Sequence, residues 1–146
     1  MKTVTPFLWF NTNAGEAAIF YTLIFKNSRI ISQSIMMITF ELEGQKFMAL
    51  NGGIDFPFTE AISIYVDCDT QEEVDELWTK LSEGGSSGKC GWLKDKFGLS
   101  WQIIPKALSE LLNGDDTDKT ERVMEAMLQM TKIEIDTLKK AYNGGQ

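Results

Sequence analysis

The chain has 146 residues, of which 43% are hydrophobic and 11% aromatic, so it is long and apolar enough to bury one compact core. Its 21 acidic and 14 basic residues give a net charge of −7. This charge argues against binding to nucleic acid or to an anionic membrane, because both need clustered Lys and Arg. No apolar run approaches the roughly 20 residues of a membrane span, and the N-terminus lacks the pattern of a signal peptide. We therefore expect a cytoplasmic protein that binds neither nucleic acid nor membrane.

Histidine is absent from the sequence, and the only cysteines are Cys68 and Cys90. The lack of imidazole excludes His-based catalytic triads and the zinc sites that are built on His. Two cysteines do not make a disulfide framework, so we expect free thiols. A catalyst would have to use Asp, Glu, Lys, Tyr, Cys or bound water, and a metal would have to use carboxylates.

The first half of the chain has the pattern of a strand, a helix and three further strands. Residues 3–11 alternate like a strand, and AGEAAIFYTLIF (14–25) has helical spacing after the cap residues Thr12 and Asn13. Strand-like runs follow at 30–34, 36–42 and 46–51, and Glu43-Gly44 is the predicted turn between the last two.

The second half repeats this order. Residues 60–67 alternate, with Ser63 and Tyr65 on one side and Ile64 and Val66 on the other. Asp69-Thr70 then begin a predicted helix that ends at Gly84-Gly85. Strands are predicted at 89–94 and 99–104, joined by a turn at 95–98.

The two halves are also similar residue by residue. NAGEAAIFY (13–21) matches TQEEVDELW (70–78) at an offset of 57 residues, and GQKF (44–47) precedes GLSW (98–101) by 54. We predict a single domain over 1–146, made of module 1 at about 1–53, module 2 at about 58–105 and a helical tail at 106–146. In the tail we expect a short helix at 106–112 and one long amphipathic helix at 120–142, packed on the sheet or on a partner.

Four segments resemble a known family: FLWFNTNAGEAAIFY, ITFELEGQKFMALNGG, EAISIYVDCDTQEEVDELW and CGWLKDKFGLSWQIIP. They resemble the vicinal oxygen chelate superfamily (glyoxalase, bleomycin resistance and dioxygenase proteins), in particular its PhnB-like, 3-demethylubiquinone 3-methyltransferase-type branch. The resemblance implies an α+β fold, glyoxalase-like, in which two tandem βαβββ modules form a curved mixed sheet cup, plus C-terminal helices. It also implies a homodimer. One departure is that the long Gly/Pro-rich loop usual between the second and third strands is almost absent near Gln33-Ser34.

The resemblance also allows the superfamily's metal site to be checked. Members place His or Glu ligands on inward strand positions around a divalent ion. The corresponding positions here hold no His or carboxylate; they fall near Pro6-Phe7, Met48-Ala49, Ala61 and Gln102. We therefore expect no metal and no cofactor. A glycine-rich loop of the kind with which the usual methyltransferases approach their cofactor is also missing between the first strand and helix.

Strand alternation predicts one face of mixed polarity and one apolar face in the folded modules. Aromatic walls with a few polar groups suit small, partly apolar ligands. We expect Trp101 to be core and Trp92 to be a pocket wall. The predicted ligand-binding residues are Trp9, Asn11, Asn51, Ser63, Tyr65, Cys90, Trp92 and Gln102, and no catalytic residue is assigned.

Three functions remain open from the sequence. The first is binding of a small, partly apolar molecule in a metal-free cup, as bleomycin-resistance proteins bind their ligand, with the reaction unassigned. The alternative is a superfamily enzyme (isomerase, lyase, dioxygenase or methyltransferase-type) that uses an atypical site. The third is a structural or regulatory role carried by the exposed side of the C-terminal helix.

Overall fold

The computed structural model describes residues 2–145, which fall into two compact units, one ending at Pro57 and the other beginning at Phe58. Each unit contains one βαβββ module, so the predicted α+β fold with a tandem repeat is confirmed. The first module consists of β1 (Phe7–Phe10), α1 (Ala14–Ile24), β2 (Ser28–Gln33), β3 (Met37–Leu42) and β4 (Gln45–Asn51). The second consists of β5 (Ser63–Cys68), α2 (Gln71–Ser82), β6 (Ser86–Ser87), β7 (Trp92–Lys94) and β8 (Ser100–Pro105). The tail contains α3 (Lys106–Leu112), α4 (Thr117–Leu128) and α5 (Ile135–Tyr142).

The two sheets have the same topology. Their strand orders are β1-β4-β3-β2 and β5-β8-β7-β6. In each sheet the first strand pairs in parallel with the last, and the remaining neighbours are antiparallel. The parallel pair follows from the helix, since a crossover connection is what brings two strands side by side in the same direction.

The core of the first unit lies between its sheet and α1. Leu8, Phe40 and Ala49 are buried on one face of the sheet, and Ala18 and Tyr21 are buried on the helix. Phe40 stacks on Phe47 with 5.4 Å between ring centroids. The alternation of apolar residues in the strands therefore decides which face receives the helix.

Two turns in the first unit have a clear local cause. Glu43 and Gly44 both have positive φ, at 48° and 87°, so the predicted β3–β4 turn is confirmed. Residues 34–36 alone connect β2 to β3, and the Ser34 N–H donates to the Met37 carbonyl at 2.8 Å. The short β2–β3 connection is therefore a tight turn in this structure.

In the second unit, α2 begins as the sequence predicts. The Glu73 N–H donates to Thr70 Oγ1 at 3.2 Å, and the Asp69 N–H donates to Glu73 Oε2 at 3.0 Å. The first bond is the N-cap of the helix, and the second joins the Glu73 side chain to the residue before the cap, so together they resemble a capping box shifted by one residue. The helix buries Val74 and Leu81 and lies against β5, β7 and β8.

Three predicted strands begin three or more residues later than expected. β1 begins at Phe7, and β5 begins at Ser63 because residues 59–62 form a turn, with the Ile62 N–H donating to the Thr59 carbonyl. β7 begins at Trp92, because Cys90 and Gly91 have φ values of 57° and 83° that are incompatible with an extended strand.

The prediction of one helix over 120–142 is wrong, because α4 ends at Leu128 and α5 begins at Ile135. The backbone between them bonds to the second module instead of to itself. The Cys90 and Gly91 N–H groups donate to the carbonyls of Met130 and Thr131, each at 2.8 Å. These tertiary bonds use carbonyls that a continuous helix would have needed.

The tail forms its own apolar cluster at the end of β8. This cluster consists of Ile104, Leu108, Val123, Met130, Ile133 and Leu138. A Cβ on Gly91 would lie 2.7 Å from Ile104 Cδ1 and 3.1 Å from Ile133 Cγ1, so only glycine allows this packing. None of the helices within residues 2–145 is both long enough and apolar enough to cross a bilayer.

Candidate functional site

The sheet of the second unit has one covered face and one face of mixed polarity. Strand register places Ser63 and Lys94 beside Ser100, and Tyr65 and Trp92 beside Gln102. The alternate positions Leu93, Trp101 and Ile103 are buried. The prediction that Trp101 belongs to the core is therefore confirmed. We call the face formed by Ser63, Tyr65, Trp92, Lys94, Ser100 and Gln102 the polar face.

The centre of the polar face is a polar pair between aromatic neighbours. Gln102 Nε2 donates to Ser63 Oγ at 2.9 Å. Tyr65 and Trp92 flank Gln102 on the two adjacent strands, and Tyr65 is 52% exposed. Four of the eight predicted ligand residues are thus neighbours on one surface. The amide oxygen and both ring faces can offer an acceptor and apolar contact to a small molecule.

An ion pair lies at one end of the polar face. Lys94 Nζ contacts Glu60 Oε1, and both side chains are partly exposed. The hydrogen bond from Lys94 holds the pKa of Glu60 below its ordinary value. Glu60 is therefore a paired carboxylate at the edge of the sheet.

Beside this ion pair is a small pocket of about 150 Å³. Its lining residues are Glu60, Ser86, Gly88, Trp92, Leu93, Lys94 and Ser100. Of these, only Trp92 is among the eight predicted ligand residues. The period-two pattern that assigned Trp92 and Gln102 to one face also places Lys94 and Ser100 there. Strand alternation in the sequence could therefore have identified Lys94 and Ser100 as pocket residues.

Trp9, in the first unit, packs against the segment that follows β4. Its Nε1 donates to the Ile54 carbonyl at 2.9 Å, and its ring lies 5.1 Å from that of Phe56. A Cβ on Gly52 would lie 2.0 Å from Trp9 Cζ2, so the indole occupies the space that glycine leaves. This predicted ligand residue therefore has a packing role of its own.

Asn51 lies at the end of β4 and contacts the start of α1. Its Oδ1 accepts the Ala14 N–H at 2.8 Å, and its Nδ2 donates to the Ile35 carbonyl at 3.3 Å. The first turn of α1 is therefore capped from another strand, whereas Asn13 at the N-cap position makes no side-chain cap bond. Asn11 is exposed just after the end of β1.

The two cysteines differ in environment. Cys90 is half-buried in the turn before β7, where strand alternation does not fix the direction of its side chain. Cys68 is buried at the end of β5, and burial raises the pKa of its thiol to about 12, with Glu73, Asp67 and Asp69 adding to the rise. Cys68 is therefore a packed, unreactive thiol.

The residues of the polar face do not fit the divalent metal that the superfamily's classical members hold. Within residues 2–145, no group of three or more His, Cys, Asp or Glu side chains is placed to hold a metal ion. At the position of the usual glutamate, Gln102 offers an amide, which is a weak metal donor, and its Nε2 is bonded to Ser63. Ala61 lies before β5 and carries no ligand atom.

Comparison with known proteins places this fold in a family. Residues 2–104 match the family model described as 3-demethylubiquinone-9 3-methyltransferase. A PhnB protein from Bacillus cereus is 35% identical, with the match covering 71% of this chain and 99% of that one at a TM-score of 0.66. No curated protein matches the chain.

Two more distant structures show the same fold alone. The fosfomycin resistance protein FosX from Listeria monocytogenes is 15% identical over 72% of this chain and 93% of its own, with a TM-score of 0.53. A glyoxalase-related enzyme from Fulvimarina pelagi is 12% identical over 72% of this chain and 88% of its own, with a TM-score of 0.50. The resemblance to the PhnB-like branch that we inferred from the sequence is confirmed, and the chain belongs to the PhnB-like 3-demethylubiquinone-9 3-methyltransferase family.

Proposed function

We propose that this protein binds a small, partly apolar molecule on the polar face of its second unit, without a resident metal. The observation that carries this proposal is the arrangement around Gln102. An amide bonded to Ser63 lies between two aromatic side chains, Tyr65 and Trp92, that are not fully buried. Exposed aromatic surface beside fixed polar groups is typical of sites for small molecules.

Ser63, Tyr65, Trp92 and Gln102 are the residues that we propose to contact the ligand. Trp9 and Asn51 have defined partners in the first unit, which favours a structural role for both. Asn11 and Cys90 lie outside strands, so strand alternation does not direct their side chains to the polar face.

Methyl transfer, which the family description names, is not the activity that these residues favour. The connection between β1 and α1 is Asn11-Thr12-Asn13, without the glycines that let a backbone approach a nucleotide cofactor. A His-free polar face also lacks a general base of near-neutral pKa. Binding without turnover is the simpler function for this surface.

The proposal can be tested by thermal-shift screening of the full chain against small aromatic and aliphatic compounds. A ligand of the folded state raises the melting temperature in proportion to the logarithm of its concentration over its dissociation constant. Trp92→Ala should abolish the shift produced by any hit. Trp78→Ala, on helix α2 away from the polar face, is the matched control and should leave the ligand-induced shift intact.

Mass spectrometry of each hit after incubation separates binding from catalysis. A ligand recovered with unchanged mass supports the binding function, and a converted ligand would favour the superfamily-enzyme alternative. A broad panel without a single hit that depends on Trp92 would contradict the proposal.

Two further expectations belong to this proposal. Exposed apolar side chains on α1, Ile19 and Leu23, support association into a homodimer, which light scattering would detect. Two unpaired cysteines support a reducing compartment such as the cytoplasm, which fractionation of the source cells would test.

A further inference from the structure

The small pocket at the end of the polar face contains a buried hydroxyl without a partner. Ser100 is 1% exposed, and its Oγ has no hydrogen-bond partner within the part of the chain that the structure describes. Its register neighbour Ser63 differs, since Ser63 Oγ accepts from Gln102. A buried hydroxyl left unpaired is destabilising, because it has lost its hydrogen bonds to water without gaining others. Because Ser100 also lines the pocket, its hydroxyl is an unsatisfied polar group at the pocket wall.

The charges at the pocket favour a neutral occupant. Among the described residues that line the pocket, Lys94 is the one cation, and its ammonium is already bonded to Glu60. An anion would have to displace the Glu60 carboxylate from Lys94, and a cation would have to displace Lys94 from Glu60. A neutral molecule requires neither change.

The walls and size of the pocket favour a single ring. Trp92 supplies an aromatic wall. Gly88 also lines the pocket and contributes only backbone there, because it has no side chain. A volume of about 150 Å³ is below the ~300 Å³ at which pockets for drug-sized ligands begin.

We propose that this pocket binds a small neutral molecule that has one apolar ring and one hydroxyl or carbonyl oxygen. The ring lies against Trp92, and the oxygen exchanges a hydrogen bond with Ser100 Oγ. This inference rests on the proposed function, since it names the ligand class and the subsite on the same face of the sheet.

The test uses phenol as the probe and toluene, which has the same ring without the oxygen, as the matched ligand. Amide shifts of the full chain are followed by NMR up to about 10 mM of each, because ligands of so few atoms bind weakly. We expect phenol to shift the amides of residues 86–94 and 100 and to bind at least about fivefold more tightly than toluene. Benzoate, which is charged, should bind more weakly than phenol.

Ser100→Ala should reduce phenol binding to the level of toluene. It should also leave the free protein as stable as the wild type or more stable, because it removes an unpaired buried hydroxyl. Ser87→Ala is the control, since Ser87 is an exposed serine that pairs with Leu93 rather than lining the pocket.

The outcomes separate this inference from the proposed function. Equal phenol affinity in Ser100→Ala and wild type, or toluene binding as tightly as phenol, would overturn the subsite. Shifts confined to Tyr65 and Gln102 would overturn the subsite and leave the proposed function intact. The absence of shifts anywhere on the polar face with all probes would overturn the subsite, while the wider ligand panel would still decide the proposed function.

Discussion

The indole N–H of Trp101 donates to the carboxylate of Asp95, with 2.9 Å between Nε1 and Oδ2, and the two residues are only 1% and 2% exposed. The other carboxylate oxygen accepts the N–H groups of Phe97 at 2.8 Å and Leu99 at 3.1 Å. One buried carboxylate thus organises the β7–β8 turn and joins it to the core indole of β8. Because β7 and β8 carry Trp92 and Gln102, this bond fixes the strands that present the polar face.

A double-mutant cycle on Asp95 and Trp101 should show strong coupling. In Asp95→Asn the side-chain amide group faces at least one of the N–H donors of Phe97, Leu99 and Trp101, so a hydrogen bond is replaced by two opposed donors. We expect this substitution to lower the free energy of unfolding by about 2–4 kcal/mol. Trp101→Phe leaves Oδ2 without its indole donor, and the two losses should be non-additive by about 1–3 kcal/mol. Urea unfolding of the wild type, the two single variants and the double variant measures this coupling free energy. Asp115→Asn, at an exposed site, is the control, and additive losses would show that the bond contributes little.

The connection between α4 and α5 should depend on one side chain of α2. Gln71 Nε2 donates to the Ile133 carbonyl at 2.9 Å, and its Oε1 accepts the Ile135 N–H at 2.7 Å. Gln71→Ala removes both bonds and should lower the free energy of unfolding by about 1–3 kcal/mol. Limited proteolysis should then cut within 129–134 faster than in the wild type. Thr79→Ala, on the exposed side of α2, should not change the cleavage rate, and equal rates in Gln71→Ala would refute the role.

Cys68 should make stability depend on alkaline pH. Its pKa is about 12 in the folded protein and near 9 when the thiol is unperturbed, because burial disfavours the thiolate. The thiol's contribution to the free energy of unfolding is complete below about pH 9. Between pH 9 and 12 the thiol ionises in the unfolded chain but not in the folded protein, so this contribution falls by up to ~1.4 kcal/mol per pH unit. The difference in unfolding free energy between wild type and Cys68→Ala should therefore shrink between pH 8 and 11. A constant difference would mean that the thiol is not desolvated.

Divalent metals should not stabilise the protein. The polar face offers amide, hydroxyl and ammonium groups rather than a set of carboxylates or imidazoles. An ion at 100 times its dissociation constant would add ~2.7 kcal/mol to stability and raise the melting temperature by several degrees. We expect Mg²⁺, Mn²⁺, Ni²⁺ and Zn²⁺ each to match an EDTA-treated sample in a thermal scan. A saturable rise with one of these ions would contradict this prediction.

The sequence by itself determined the modules and the faces of the second sheet. Alternation assigned Ser63, Tyr65, Trp92 and Gln102 to one face, because successive strand residues point to opposite sides regardless of what surrounds them, and the strand register made them neighbours. The Thr70 cap and the Glu43-Gly44 turn were likewise readable, since both depend on bonds and dihedral angles within a few residues.

Only the tertiary structure decided which polar groups form hydrogen bonds with residues distant in sequence. Asn51 bonds to Ala14 across 37 residues, Gln71 bonds to Ile135 across 64, and Ser100 Oγ is buried without a partner in the described chain. The helix break at 129–134 has the same origin, because its carbonyls bond to Cys90 and Gly91. Local pattern specifies where a side chain points, whereas the partner of a buried polar atom is supplied by residues distant in sequence that folding brings near.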